Sequence, residues 1–294
     1  MRIGNREFSF SRGHVYIMGI LNVTPDSFSD GGRFDHVDRA LYHAEEMIKE
    51  GADLIDIGGE STRPGYLPVE EAEEIERVAT VMKAIRERLE IPISVDSYKW
   101  RVMDALLKEG ADLANDIWGL RYGKFSGEED RMAEVVAAHG VPIVLMHNDA
   151  LARNREERTA EQYEASCQEA AERDDVIRRV KNGLLDSVRI AKQAGIAEEH
   201  LILDPGVGFA KTQAENLKVL QGLGTLTELP YPVLLAASRK SVIGNALGLP
   251  VNEREEGTMT ASVMAALAGC AFVRVHDVKK NRRALDMAEH ILRA

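Results

Sequence analysis

Val15-Tyr16-Ile17-Met18-Gly19-Ile20-Leu21 is an apolar run, and Asn22-Val23-Thr24-Pro25-Asp26-Ser27-Phe28-Ser29-Asp30-Gly31-Gly32 follows it directly. The first stretch reads as a buried strand. An amphipathic helical pattern begins only at Val37 and runs to Glu50. A connector between strand and helix ordinarily needs about two to six residues. This one is longer and rich in hydroxyls and carboxylates, and long polar loops at strand ends carry function or are disordered.

The same unit recurs along the chain in secondary structure rather than in sequence. Strands are predicted at Val15–Leu21, Leu54–Ile57, Ile93–Val95, Leu113–Ile117, Pro142–Met146, Leu201–Leu203, Val233–Ala236 and Phe272–Val275. Helices are predicted over Val37–Glu50, Pro68–Leu89, Lys99–Lys108, Arg131–His139, Ala160–Ala194, Thr212–Leu220, Glu255–Ala268 and Asn281–Leu292. Gly51, Gly110, Gly140, Gly195 and Gly269 fall where helices end, in the manner of C-caps. Eight strand–helix units fit a (β/α)8 TIM barrel. A short N-terminal β-hairpin over Arg2–Phe10, turning at Gly4-Asn5, precedes it. A doubly wound open sheet is the alternative, but the Gly-rich phosphate turn it would carry after the first strand is missing. With no linker in sight, residues 1–294 are expected to form one barrel domain.

Composition narrows the function. The net charge of −11 argues against a nucleic-acid or acidic-membrane surface. Any polyanion must enter a local basic pocket. Cys167 and Cys270 lie far apart, so neither a disulfide framework nor a zinc site is indicated. Without a signal-like apolar region or a run of membrane-spanning length, a soluble cytoplasmic protein is expected.

In a barrel the loops leaving the C-terminal strand ends form one face, where active sites sit. Every predicted strand here ends in polar groups. Arg239, Lys240, Arg274 and His276 follow the seventh and eighth strands, where barrels commonly bind phosphate; a salt-bridged rim is the bland alternative. Asp96, Asn115 and Asp204 leave three other strands at similar depth. Buried carboxylates need partners, and an aminopyrimidine-type ring edge would supply N–H donors, with Lys240 as the opposite charge. Each alone would also fit a helix cap or a core hydrogen bond. Phe209, on a Gly-rich loop, reads as a stacking ring or a packing residue, and His147 as a residue behind the site or in the core. Glu60-Ser61-Thr62-Arg63-Pro64-Gly65 forms a second loop which, with Asn22–Gly32, reads as a lid that excludes water.

These motifs, with Ser94-Val95-Asp96-Ser97-Tyr98, Asn115-Asp116-Ile117, Asp204-Pro205-Gly206-Val207-Gly208-Phe209-Ala210-Lys211-Thr212, Ser238-Arg239-Lys240-Ser241 and Arg274-Val275-His276-Asp277-Val278, resemble dihydropteroate synthase, of the pterin-binding barrel family, over nearly the whole chain. The resemblance implies condensation of 6-hydroxymethyl-7,8-dihydropterin diphosphate with p-aminobenzoate, giving 7,8-dihydropteroate and diphosphate in folate biosynthesis. It implies that Asp96, Asn115, Asp204 and Lys240 hold the pterin, with Met146 against its face. Asn22, Arg274 and His276 would bind the diphosphate, with Asn22 also at Mg²⁺. Thr62, Pro64, Phe209 and Ser241 would line the p-aminobenzoate site, open to sulfonamides, and Asp30 and Arg63 would come from the two loops. Catalysis would fall to Asp30, Arg63, Lys240, Arg274 and His276. Family members are commonly homodimers. Two departures stand out: Leu235-Ala236-Ala237 occupies a place where the family often has Gly, and Asn148–Arg179 is unusually charged. The competing readings are a folate-dependent methyltransferase domain and a non-catalytic pterin-binding paralogue.

Overall fold

The computed structural model describes residues 1–10, 13–23, 33–61, 67–151 and 175–294. Two short strands, β1 (Arg2–Ile3) and β2 (Arg6–Glu7), pair antiparallel as the N-terminal hairpin. Eight parallel strands follow: β3 (Tyr16–Asn22), β4 (Leu54–Gly58), β5 (Ile93–Asp96), β6 (Leu113–Asp116), β7 (Ile143–Met146), β8 (Leu201–Asp204), β9 (Leu234–Leu235) and β10 (Phe272–Val275). Their spatial order is β8-β7-β6-β5-β4-β3-β10-β9. A parallel bridge between Leu203 and Val233 brings the two ends of the sheet together. The result is a nearly closed (β/α)8 barrel, as the repeating units predict.

Side chains alternate between the two faces of each strand, and this alternation builds the core in layers. Outward-facing Ile17, Leu21, Ile55, Ile57, Ile93, Val95, Ile143, Leu145, Leu201, Leu203, Val273 and Val275 pack under the helices. Inward-facing Tyr16, Met18, Leu54, Leu113, Val144, Ile202, Leu234 and Phe272 fill the lower half of the barrel. The hairpin completes that lower plug. Ile3 and Phe8 are fully buried, and Phe8 meets Tyr16 edge-on at 4.8 Å between ring centroids. Burying a side chain of that size stabilises the fold by about 1.5–3 kcal/mol.

The helices lie where the periodicity places them, with instructive differences. The five glycines read as helix ends all have positive φ. Gly140 and Gly269, for instance, stand directly after Met132–His139 and Glu255–Ala268 in the left-handed conformation. The last helix starts earlier than Asn281, at Val278, because Asp277 accepts from Lys280 N–H and caps it. Three helices escape the sequence pattern: Tyr122–Ser126, Leu223–Leu226 and Ser241–Leu247. All are short, and the last carries Gly244 inside it and ends at Gly248. β9 is shorter than the predicted Val233–Ala236. Pro230 and Pro232 flank its entry and lack the N–H a ladder requires, although Pro232 C=O still accepts from Leu203 N–H. Of the predicted helix Ala160–Ala194, the described part is Val176–Gln193; its start lies outside the described residues. No helix among the described residues is long and apolar enough to cross a membrane.

Candidate active site

The inward alternation that fills the barrel floor with apolar groups continues upward, and there the residues turn polar. Above Leu54 the inward positions of β4 are Asp56 and Gly58, and above Leu113 that of β6 is Asn115. Ser94 and Asp96 belong to β5, Met146 to β7, Asp204 to β8 and Arg274 to β10. The register sets them side by side. Asn22 pairs with Gly58, Gly58 with Asp96, Asp96 with Asn115, and Met146 with Asp204. Gly58 leaves a gap in this row: a Cβ there would lie 3.6 Å from Asp96 Cβ and 3.7 Å from Asn22 Oδ1.

Asp56, which the sequence reading left without a role, organises the layer. It is fully buried. Its Oδ2 accepts from Arg274 Nε at 2.6 Å and from Asn115 Nδ2 at 3.1 Å. Arg274 Nη2 also donates to Asp96 Oδ2 at 2.8 Å. One guanidinium therefore bridges two carboxylates from different strands. Asp56 Oδ1 and Asp96 Oδ1 are buried and receive no hydrogen bond from the described residues. The signal for Asp56 was in the sequence: it stands two residues after inward Leu54, at the height where polar groups begin.

Lys240 and the loop after β8 face this layer. Lys240 Nζ donates to Val207 O at 2.7 Å and sits 4.7 Å from the Phe209 ring centroid. The loop is wound around a second ammonium, which sequence reading missed. Buried Lys211 donates from Nζ to His147 O, Gly206 O and Phe209 O at 3.2, 2.9 and 3.3 Å. Gly206 is required there: its φ is +66, and a Cβ would fall 1.9 Å from His147 O. Asp204 Oδ1 accepts from Gly206 N–H at 2.7 Å. Phe209 is half-buried and packs against the cluster of Ile117, Trp118 and Met146, as Tyr98 and Tyr122 do. Tyr98 and Tyr122 lie 4.7 Å apart between centroids, so Phe209 belongs to an apolar wall rather than standing alone.

The basic cluster expected after β9 and β10 is divided. Arg239 turns away, with its Nε 3.1 Å from Glu255 Oε2 and its backbone at φ +56. That departs from the phosphate-binding cluster read in the sequence, because Glu255, at the start of the helix Glu255–Ala268, offers its carboxylate to Arg239. Arg274 is committed on two of its nitrogens to Asp56 and Asp96. His276 points with the inward set, and its Nδ1 is 2.9 Å from Ser238 Oγ. Ser241 is exposed and opens the helix Ser241–Leu247. His147 is buried, and its backbone carbonyl accepts from Lys211 Nζ. Asp30, Thr62, Arg63 and Pro64 lie outside the described residues. The stem of the second loop is fixed: Lys99 Nζ donates to Glu60 Oε2 at 2.6 Å, Glu74 Oε2 at 2.7 Å and Val69 O at 2.5 Å.

Burial dominates the electrostatics. The Asp96 carboxyl is pushed up to about 7 by burial; Arg274 opposes the rise and Asp56 adds to it. Asp204 is also raised by burial, against the pull of Lys240 and the Gly206 N–H. Burial brings Lys240 down to about 8, with Asp204 opposing, and Lys211 down to about 7. Burial opposes the charge of Arg274, but Asp56 and Asp96 together hold it more firmly protonated than usual. Three carboxylates and two cations thus share one half-closed layer. Such perturbed, interlocked groups at the strand ends of a barrel mark a functional site. Among the described residues, no three His, Cys, Asp or Glu side chains gather into a metal cluster.

A parallel barrel with acceptors, an amide and a lysine converging above an apolar floor defines an enzyme that holds a small polar molecule at its strand ends. The sequence signature of the pterin binding enzymes matches residues 18–276. The dihydropteroate synthase of Clostridium beijerinckii is 47% identical over 294 residues, covering 100% of both chains. That of Bacillus subtilis is 49% identical over 276 residues, covering 94% of this chain and 88% of the relative. A crystal structure of dihydropteroate synthase from Clostridium difficile, in the presence of pteroic acid, superposes with a TM-score of 0.84 at 41% identity, covering 97% of this chain and 100% of the other. The chain belongs to the pterin binding enzyme family, on its dihydropteroate synthase branch, and is a transferase of folate biosynthesis.

Proposed function

We propose that this chain joins 6-hydroxymethyl-7,8-dihydropterin diphosphate to p-aminobenzoate, giving 7,8-dihydropteroate and diphosphate. The observation that carries the reading is the pair of buried, undonated carboxylate oxygens, Asp56 Oδ1 and Asp96 Oδ1. A buried acceptor without a donor costs about 1–3 kcal/mol. A pterin's N–H edge would remove that cost. On this reading Asp96, Asn115, Asp204 and Lys240 hold the pterin and Met146 lies against its face. The pteroic acid named with the Clostridium difficile structure joins a pterin to p-aminobenzoate, the pair of moieties this pocket would bring together.

The diphosphate would sit above Arg274 and His276. Arg274 uses Nε and Nη2 for Asp56 and Asp96, which leaves Nη1 for a phosphate oxygen. Mg²⁺ is proposed beside it, held by Asn22. The fit rests on a neutral amide oxygen at a strand end, facing the gap left by Gly58. Hard cations of this kind take one or two protein oxygens and fill the remaining positions with phosphate and water. When bound, the ion would offset negative charge on the departing diphosphate. The carboxylates opposite would favour the positive charge that spreads into the pterin as the bond to diphosphate breaks. No covalent nucleophile is then needed, and the aryl amine attacks the methylene carbon. Phe209 and Ser241, with Thr62 and Pro64, would line its site, where sulfonamides would compete. Asp30 and Arg63 would join from the two loops.

The deciding measurement is diphosphate release from the pterin substrate with Mg²⁺. Release that depends on p-aminobenzoate and is inhibited by a sulfonamide is expected. Absence of release would reject this reaction and favour the methyltransferase reading. We also infer a homodimer. Met264 and Leu267 on the helix Glu255–Ala268, and Met287 and Ile291 on the neighbouring Val278–Arg293, are exposed apolar side chains. Light scattering showing a monomer at micromolar concentration would refute it.

A further inference from the structure

The second loop leaves β4 through Gly59 and Glu60 and is described again from residue 67, ahead of the helix Glu71–Arg88. One carboxylate joins its two ends: Glu60 Oε2 accepts the Val69 N–H at 2.7 Å. Lys99 Nζ donates to that same oxygen at 2.6 Å and to Val69 O at 2.5 Å. Its third bond goes to Glu74 Oε2, at 2.7 Å, on the helix that follows the loop. An ammonium carries three N–H donors, so all three are used inside the protein and none remains for a substrate. Lys99, Glu60 and Glu74 keep only 11, 9 and 1% of their side-chain surface exposed.

Lys99 is a poor choice for its own helix. It stands at the N-cap of Trp100–Lys108 and makes no side-chain cap there. Helix N-termini favour Ser, Thr, Asp or Asn as caps and disfavour cations. Stability does not account for it either, since an apolar filling commonly serves a buried place as well as an ion pair does. What the ammonium adds is a fixed geometry, because acceptors from both loop ends and from the next helix converge on one point. That point lies three residues past Asp96. Asp96 pairs in register with Gly58, and Glu60 lies two residues past Gly58. Tyr98, beside Lys99 in the same turn, packs against Ile117, Trp118 and Met146. Burial and then the facing Glu60 carboxylate push the Tyr98 hydroxyl up, which keeps it an O–H donor.

We propose that Lys99 is a positioning residue: it pins both ends of the second loop to the turn that follows Asp96, and thereby sets the p-aminobenzoate half of the site at a fixed place relative to the pterin half. This rests on the proposed reaction, which assigns Thr62 and Pro64, two and four residues past Glu60, to p-aminobenzoate. None of the three Lys99 bonds goes to a group that holds the pterin. Removing the pin therefore weakens one substrate and spares the other.

The test compares the wild type with Lys99→Met/Glu74→Gln, which removes the bridge without changing the net charge of the cluster. The KM for p-aminobenzoate is expected to rise about tenfold, while the affinity for 6-hydroxymethylpterin, measured by calorimetry, stays within about twofold. Glu60→Gln keeps an acceptor for the Val69 N–H but breaks the ion pair, and is expected to raise the same KM about threefold; it carries the test if the double variant does not fold. An unchanged KM for p-aminobenzoate overturns the proposal, and so does an equal weakening of both substrates or a fall in kcat with both affinities intact. If the wild type itself shows no diphosphate release dependent on p-aminobenzoate, the proposed reaction is wrong and the role of Lys99 falls with it. That failure appears in the wild type, whereas failure of the positioning role appears only in the variants.

Discussion

Asp56→Asn keeps the shape of the side chain and removes its charge. With the amide oxygen turned to Arg274 Nε and Asn115 Nδ2, the first bond loses its ion-pair attraction and the second falls from charge-assisted to neutral, a loss of about 1 kcal/mol apiece. The amide nitrogen then takes the place of Oδ1, which is buried and undonated. Two N–H groups without acceptors add about 1–3 kcal/mol. Together these terms span roughly 3–5 kcal/mol, and because Arg274 keeps Asp96 as a counter-charge the lower end of that range applies. A loss of about 3 kcal/mol is expected. Asp56 also raises the Asp96 carboxyl, so its removal should let Asp96 ionise at lower pH. Urea unfolding followed by circular dichroism measures the first effect, and calorimetry of pterin binding across pH measures the second. A stability change under about 0.5 kcal/mol, with an unmoved pH dependence, would refute the argument that Asp56 organises the layer.

Three further outcomes follow from the same geometry. Arg274→Ala is expected to weaken the pterin diphosphate at least about tenfold more than the free hydroxymethylpterin, as loss of a charged contact implies; equal weakening would confine Arg274 to holding Asp56 and Asp96. Asp96 has a folded value of about 7 against an ordinary 3.8. The folded state therefore binds the proton more tightly, and this group contributes stability at low pH that is lost as pH rises from about 4 to about 7. Urea unfolding across that window should show the wild type losing stability relative to Asp96→Asn, and parallel curves would contradict the shift. Lys211→Met strips the donor from three loop carbonyls while relieving a buried charge; a net loss of about 2 kcal/mol and a raised KM for p-aminobenzoate through Phe209 are expected, and unchanged kinetics would separate Lys211 from the site.

The barrel was legible because its signal is local: apolar runs of strand length, helical periods between them, and glycines where helices end. Asp96, Asn115, Asp204, Lys240 and His276 could be nominated from their places after strands. What strand position alone does not convey is partnership. Arg239 and Lys240 are neighbours in sequence, yet Arg239 adopts φ +56 and pairs with Glu255, while Lys240 reaches the Val207 carbonyl. Asp56 and Lys211 were overlooked for a related reason. Each acts on residues distant in the chain, Asp56 on Arg274 and Asn115, Lys211 on His147, and no spacing records that. Alternation would have exposed Asp56 had it been followed upward from Leu54.

The upper layer makes sense as an arrangement completed by its ligand. Asp56, Asp96 and Asp204 face Arg274 and Lys240, and two of the carboxylate oxygens lack donors. An apolar filling would be more stable than an incompletely satisfied polar one, so the layer has a cost that the barrel's apolar floor and outer shell must offset. On the proposed reaction that cost serves two stages. Before bond cleavage the undonated oxygens bind the N–H edge of the pterin. During cleavage positive charge spreads into the ring, and the same carboxylates strengthen their hold because they are already in place and shielded from water. Arg274 joins the two ends, since the guanidinium that orients Asp56 and Asp96 is the one with a nitrogen left for the diphosphate. Pulling the leaving group and stabilising what it leaves behind would thus depend on a single side chain, held in position by the carboxylates it serves.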